Sequence, residues 1–139
     1  MADSQLKGKK VAIVAADMVE RVELIEPRKA LEAAGATTEL ISLKPGEIKT
    51  FNHFDPAETE KVDKTAEEVD AGDYDALMIP GGVGNPDQLR GDENVVKFVQ
   101  DFFEQWQAGK VNDLHGGLKK LASQLDAQVA QAGGGGGVP

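Results

Sequence analysis

Short unbroken apolar runs alternate along this chain with stretches whose apolar residues recur every three or four positions, the pattern of strands interleaved with helices. Val11-Ala-Ile-Val-Ala-Ala16 holds no polar residue, which suits a strand covered on both faces of a sheet. From Val22 to Ala34 the positions Val22, Ile25, Ala30, Leu31 and Ala34 suit one helical face, and Gly35 follows as a C-terminal stop. Pro27 has no N–H donor and is tolerated only in a first turn, so regular helix is expected from about Glu26. Thr37 to Leu43 reads as a second strand and Lys44-Pro45-Gly46-Glu47 as a turn. Strand, helix and strand in about 35 residues make a βαβ unit, which predicts a parallel sheet with a right-handed crossover.

The next stretch, Thr50 to Lys64, is polar and aperiodic and is expected to be irregular, anchored by Phe51 and Phe54. Thr65-Ala-Glu-Glu68 has the spacing of a capping box over one short helical turn. The apolar run Ala76 to Ile79 then stops abruptly at Pro80-Gly81-Gly82, as a buried parallel strand does at the sheet edge where α/β proteins place their chemistry. A helix from about Asp92 to Gln105 carries the broad stripe Val95, Val96, Phe98, Val99, Phe102 and Phe103. Beyond Trp106 the character changes: Asn112 to Gly117 is loop-like, and Leu118 to Ala132 reads as an amphipathic helix with Leu118, Leu121, Ala122, Leu125 and Val129 on one face. Gly133 to Pro139 has no core-forming capacity. The expected organisation is an α/β domain over 1–107, a divergent loop and helix over 108–132, and a flexible tail over 133–139, with no internal repeat.

The full sequence has 139 residues, enough for one domain with a real core. Its formal net charge of −9 repels nucleic acid and anionic membranes, so neither is expected as a partner. No apolar run approaches the ~20 residues that span a bilayer, and the first ten residues carry no signal-peptide core, which makes a cytoplasmic location the default. The absence of cysteine excludes disulfides and thiolate metal sites. No His/Asp/Glu set has metal-ligand spacing, Gly82-Val-Gly84-Asn-Pro-Asp87 departs from the dinucleotide fingerprint at its last position, and there is no phosphate-loop lysine. No cofactor is expected.

Lys10–Pro27, Glu39–Asp55 and Asp75–Arg90 together resemble the ThiJ/PfpI superfamily, the intracellular-protease-like branch of the class I glutamine amidotransferase fold. The resemblance covers roughly Lys10 to Glu104. It implies a flavodoxin-like three-layer α/β/α sandwich with a parallel sheet, shortened relative to the family. It also implies a peptidase, deglycase or related hydrolase acting through a thiolate, beside an acidic residue and backbone oxyanion donors. Counting back from Pro27 puts Glu23 on the acidic position, against the alternative of a solvated carboxylate favoured by a helix N-terminus. Gly81 and Gly82 stand where the family presents backbone N–H groups, or else form only a tight strand-to-helix turn. His53, in Phe51-Asn-His-Phe-Asp55, matches a family loop and would line the pocket rim, against the alternative of a purely structural histidine. Family members run on from Phe-Phe-Glu and Gly-Lys through an apolar strand to Cys-His-Gly. Here Phe102-Phe103-Glu104 and Gly109-Lys110 lead to Val111-Asn-Asp-Leu114-His115-Gly116, so Leu114 occupies the nominal nucleophile slot. Asn112 and Asp113 are poor residues for the central strand that a nucleophile elbow needs beneath it. His115 is accordingly either a remnant of the pocket or an ordinary loop histidine.

A leucine offers no nucleophilic atom, and no serine or threonine replaces it. The leading expectation is therefore a PfpI-like protein without cysteine catalysis. The alternatives are a non-catalytic binding or assembly module, or weak acid–base chemistry by Glu23 and His115 on a small carbonyl compound polarised by Gly81 and Gly82. A small carbonyl or peptide-like ligand fits each of these. A truncated parallel sheet leaves an open edge, which the Leu118–Ala132 helix would cover within the chain or across a dimer. A homo-oligomer is expected on that ground.

Overall fold

The computed structural model describes residues 5–82 and 84–107. Its centre is β1, Lys10–Val14, paired in parallel with β3, Thr37–Ser42, on one side and with β7, Ala76–Met78, on the other. β6, Lys64–Thr65, joins the outer side of β3, giving the order β6-β3-β1-β7. The unbroken apolar run is explained by two-sided burial. Val11, Ile13 and Ala15 face one cluster with Leu24 and Leu31 of helix α1, Arg21–Ala33, whereas Ala12, Val14 and Ala16 face another with Val95, Phe98 and Phe102 of helix α3, Glu93–Gln107. The result is the expected three-layer α/β/α sandwich, with β3, β1 and β7 in the order of flavodoxin-like sheets.

Two elements depart from expectation. α1 spans Arg21–Ala33 and runs through Pro27, so the helix begins about a turn and a half before Glu26. Its start is fixed by the short strand β2, Val19–Glu20, which pairs with β4, and by Leu24, which is fully buried in the first cluster. The missing donor at Pro27 removes only the bond to the carbonyl one turn back, and tertiary anchoring outweighs it. The stretch Thr50 to Lys64 is not irregular either. β4, Glu47–Asn52, and β5, Asp55–Lys61, form an antiparallel hairpin that joins β2 in a second sheet of order β2-β4-β5. Phe54 sits at the hairpin turn and is 81% exposed, so it anchors nothing, while Phe51 is half-buried.

Elsewhere the local readings hold. Thr65 and Glu68 close the capping box, with the Glu68 carboxylate accepting from the Thr65 N–H and hydroxyl at 3.0 and 2.8 Å. Those bonds hold the Glu68 carboxyl below its ordinary pKa. After β7 comes a short helix unforeseen in sequence, α2, Asn85–Arg90, and then α3, Glu93–Gln107. Among the described residues no helix is long and apolar enough to cross a membrane. The expected helix over 118–132, the tail over 133–139, Leu114 and His115 lie outside the described residues.

Candidate functional site

Parallel strands bring their carboxyl ends to one edge, and helices α1 and α3 pack on opposite faces of the sheet. The crevice between the ends of β1 and β7 is therefore the switch point at which open α/β sheets bind ligands. Three short segments meet there: Ala15–Glu20 after β1, Pro80–Gly82 with Gly84 after β7, and the first turn of α1.

Asn85 ties the first two segments together. Its side chain is fully buried, accepts from the Ala16 N–H at 2.6 Å and donates to the Pro80 carbonyl at 2.7 Å. An apolar residue of the same size would leave both backbone groups unpaired in the interior. Gly82 then crosses close against the segment after β1. It adopts φ 149°, and a Cβ built there would stand 2.6 Å from the Met18 carbonyl oxygen. The Glu20 N–H donates to the Gly81 carbonyl at 3.0 Å, and Val19 forms an isolated bridge with Gly82. Met18 takes φ 69°, a left-handed conformation that is costly for a side chain other than glycine. Its sulfur packs on Gly84, where a Cβ would come within 2.8 Å of Sδ.

Glu23 lies in the first turn of α1 and is exposed. Its carboxylate reaches over the glycine turn, so that a Cβ on Gly81 would stand 3.0 Å from both Oε1 and Oε2. Among the described residues this carboxylate makes no hydrogen bond or ion pair, and the Gly81 N–H has no acceptor. An acidic group and bare glycine backbone thus share one spot at the switch point. His53 is exposed at the hairpin turn with φ 59°. Its N–H donates to both carboxylate oxygens of Glu20 at 3.1 Å, which links that turn to Gly81 through Glu20. A cavity of about 220 Å³ opens at the same sheet edge, lined by Ala16, Asp17, Ser42, Lys44 and Gln88 among others. Asp17 fixes this rim by accepting from the Lys49 N–H at 2.8 Å, while its carbonyl accepts from Gln88 at 3.1 Å.

The structure brings Glu23, Gly81 and Gly82 together and sets His53 at a turn connected to them. Met18, Glu20 and Asn85 complete the constellation, and little in their local sequence points to them. Asn85 follows a glycine loop as a helix-starting residue would, and nothing in its neighbours marks it as buried. Among the described residues no group of three His, Asp or Glu side chains is arranged to hold a metal ion.

Residues 9–109 match the model of the DJ-1/PfpI family. A Bacillus subtilis protein, YraA, named as a presumed cysteine protease, is 42% identical over 97 residues, covering 70% of this chain and 55% of its own. The Escherichia coli protein named protein/nucleic acid deglycase 2 is 35% identical over 95 residues, covering 68% and 54%. Among solved structures, a two-domain protein from Anabaena variabilis with DJ-1/ThiJ/PfpI-like and ferritin-like domains superposes with a TM-score of 0.64 at 35% identity. That match covers 70% of this chain and 27% of the other. The chain spans about half the length of the curated relatives it matches.

Proposed function

The chain belongs to the DJ-1/PfpI family, and on that premise we propose that it keeps the family's pocket scaffold as a binding site without cysteine hydrolysis. One observation carries the reading. The Glu23 carboxylate remains poised over Gly81, while none of the 139 residues is a cysteine. A cysteine protease works through a thiolate, and no hydroxyl or carboxylate of comparable nucleophilicity stands at the position of Leu114. What survives is recognition chemistry: a carboxylate to accept a ligand N–H or O–H, and glycine backbone to approach a carbonyl oxygen. A small carbonyl compound or a peptide-like fragment fits both groups and the dimensions of the neighbouring cavity.

The purified chain is expected to show only background aminopeptidase and glyoxal-consuming activity. Backbone amide signals of Gly81, Gly82 and Met18 are expected to shift on titration with glyoxal or a short peptide. Robust turnover that disappears in Glu23→Gln would overturn the reading in favour of acid–base chemistry. Unmoved amide signals would remove the pocket as a binding site.

A further inference from the structure

β7 closes one side of the main sheet, and among the described residues its outer edge pairs with no strand. Beside that edge a groove of about 250 Å³ runs between β7, α2 and α3, lined by Ile79, Pro86, Leu89, Val96 and Val99, with Arg90 and Gln100 at its rim. Ile79 is 47% exposed there. The apolar stripe does not end with the groove. Phe103 lies four residues beyond Val99 on the same face of α3, and it is 52% exposed with its ring edge against Trp106. A soluble surface seldom presents so continuous an apolar strip unless something covers it.

We propose that Leu118–Ala132 docks as a helix along this strip, antiparallel to α3 and within the same chain. Three observations single out that occupant. The segment carries Leu118, Leu121, Ala122, Leu125 and Val129 on one helical face, and a fifteen-residue helix matches the fifteen residues of α3, each about 22 Å long. The chain can reach. From Gln107 back to Val96 is roughly 16 Å along α3, and the ten residues 108–117 span up to about 33 Å when extended. Attachment also decides between copies, because a short linker holds the segment at an effective concentration in the millimolar range. A second molecule at micromolar concentration competes poorly against that. An antiparallel course further sets Lys119 and Lys120 near Glu104, which follows Gln100 by one turn on the groove side. In the simplest register Leu118 meets Phe103, Ala122 meets Val99 and Leu125 meets Val96.

The inference is independent of what the pocket at the switch point binds. A chain without native cysteine allows a direct test on the full-length protein. Val96→Cys paired with Leu125→Cys, and Phe103→Cys paired with Leu118→Cys, are expected to form intramolecular disulfides at least tenfold faster than Val96→Cys paired with Ser123→Cys. Rates equal to that control would overturn the proposal. So would disulfides found only between differently isotope-labelled chains, which would assign the strip to a second copy. Leu121→Asp with Leu125→Asp supplies a readout that needs no cross-link. Amide exchange over Val96–Phe103 is expected to rise while that of Val11–Val14 stays slow, and unchanged exchange over α3 would equally sink it.

Discussion

Gly81, Gly82 and Gly84 occupy one turn, yet the three are held by different neighbours and so fail differently when a methyl is added. At Gly82 the neighbour is backbone, the Met18 carbonyl at 2.6 Å from the added Cβ, and φ is 149°. Neither can yield cheaply, so Gly82→Ala is expected to cost on the order of 1–3 kcal/mol by urea unfolding. At Gly81 the neighbour is the end of the flexible Glu23 side chain. Gly81→Ala is expected to leave the unfolding midpoint nearly unchanged while displacing the carboxylate and weakening any pocket ligand. Equal losses in the two variants would mean that the turn does not depend on its approach to Met18. A titratable group lies at the opposite end of the sheet. Tyr74 is buried, donates to Glu39 Oε1 at 2.5 Å and has Lys10 over its ring at 5.0 Å. Burial first, and the Glu39 carboxylate second, push its phenol well above the usual tyrosine range. The folded state therefore favours the neutral phenol. Its contribution is fully present below the unfolded value of about 10 and is lost as pH rises above it. Tyr74→Phe is expected to flatten that alkaline loss of stability. As the chain's only tyrosine, Tyr74 also allows its phenolate absorbance to be followed directly in the native protein, where ionisation near pH 10 would contradict the burial argument.

At the level of elements, periodicity revealed what the core enforces and missed what the surface builds. β1 and β7 were legible because Val11–Val14 and Ala76–Met78, covered on both faces of the sheet, hold no polar residue, and α3 because its stripe packs on the sheet. The hairpin was not, since β5 reads Asp-Pro-Ala-Glu-Thr-Glu-Lys and is exposed on most positions. Its register is set instead by ladder bonds to β4 and by Arg21, which pairs with Glu60 at 3.0 Å and also with Glu58. Thr50 adds a hydroxyl bond to the Glu58 carbonyl. Such long-range polar pairing leaves no hydrophobic period to read. The candidate site was legible at Glu23 and the glycines through family resemblance. Asn85 and Met18 act through contacts 69 residues apart or through a rare φ, and neither feature has a sequence signal. Pro27 shows the opposite error, a strong local rule overridden by anchoring on both sides. That override carries a cost which substitution should recover. Pro27→Ala restores an N–H donor toward the Glu23 carbonyl and relieves a ring clash worth up to ~3 kcal/mol in a helix interior. A rise in melting temperature is expected, and no rise would show that α1 has already relaxed around the ring.

Across the whole molecule, 24 carboxylates face 15 lysines and arginines, so repulsion and attraction respond to salt in opposite senses. Most of the ion pairs are exposed, among them Lys29–Glu26, Arg90–Asp87 and Lys97–Asp101, and such pairs are worth roughly 0–1 kcal/mol each. Three are better sheltered: Lys10–Glu39, Arg21–Glu60 and Arg28–Asp63, in which no partner side chain exceeds 35% exposure. These draw the strands and α1 together at short range and are screened least. The unbalanced charge acts over longer distances, and its reach shrinks from ~30 Å at 0.01 M salt to ~8 Å at 0.15 M. Salt should therefore remove more repulsion than attraction. The melting temperature at pH 7 is expected to rise by a few degrees between those two salt concentrations, at roughly 4 °C per kcal/mol for a chain of this size. A fall would locate the dominant electrostatic contribution in the sheltered pairs. Arg28→Met, which removes the partner of Asp63 while keeping the bulk of the side chain, should then reduce that fall without abolishing it, because Lys10–Glu39 and Arg21–Glu60 are untouched.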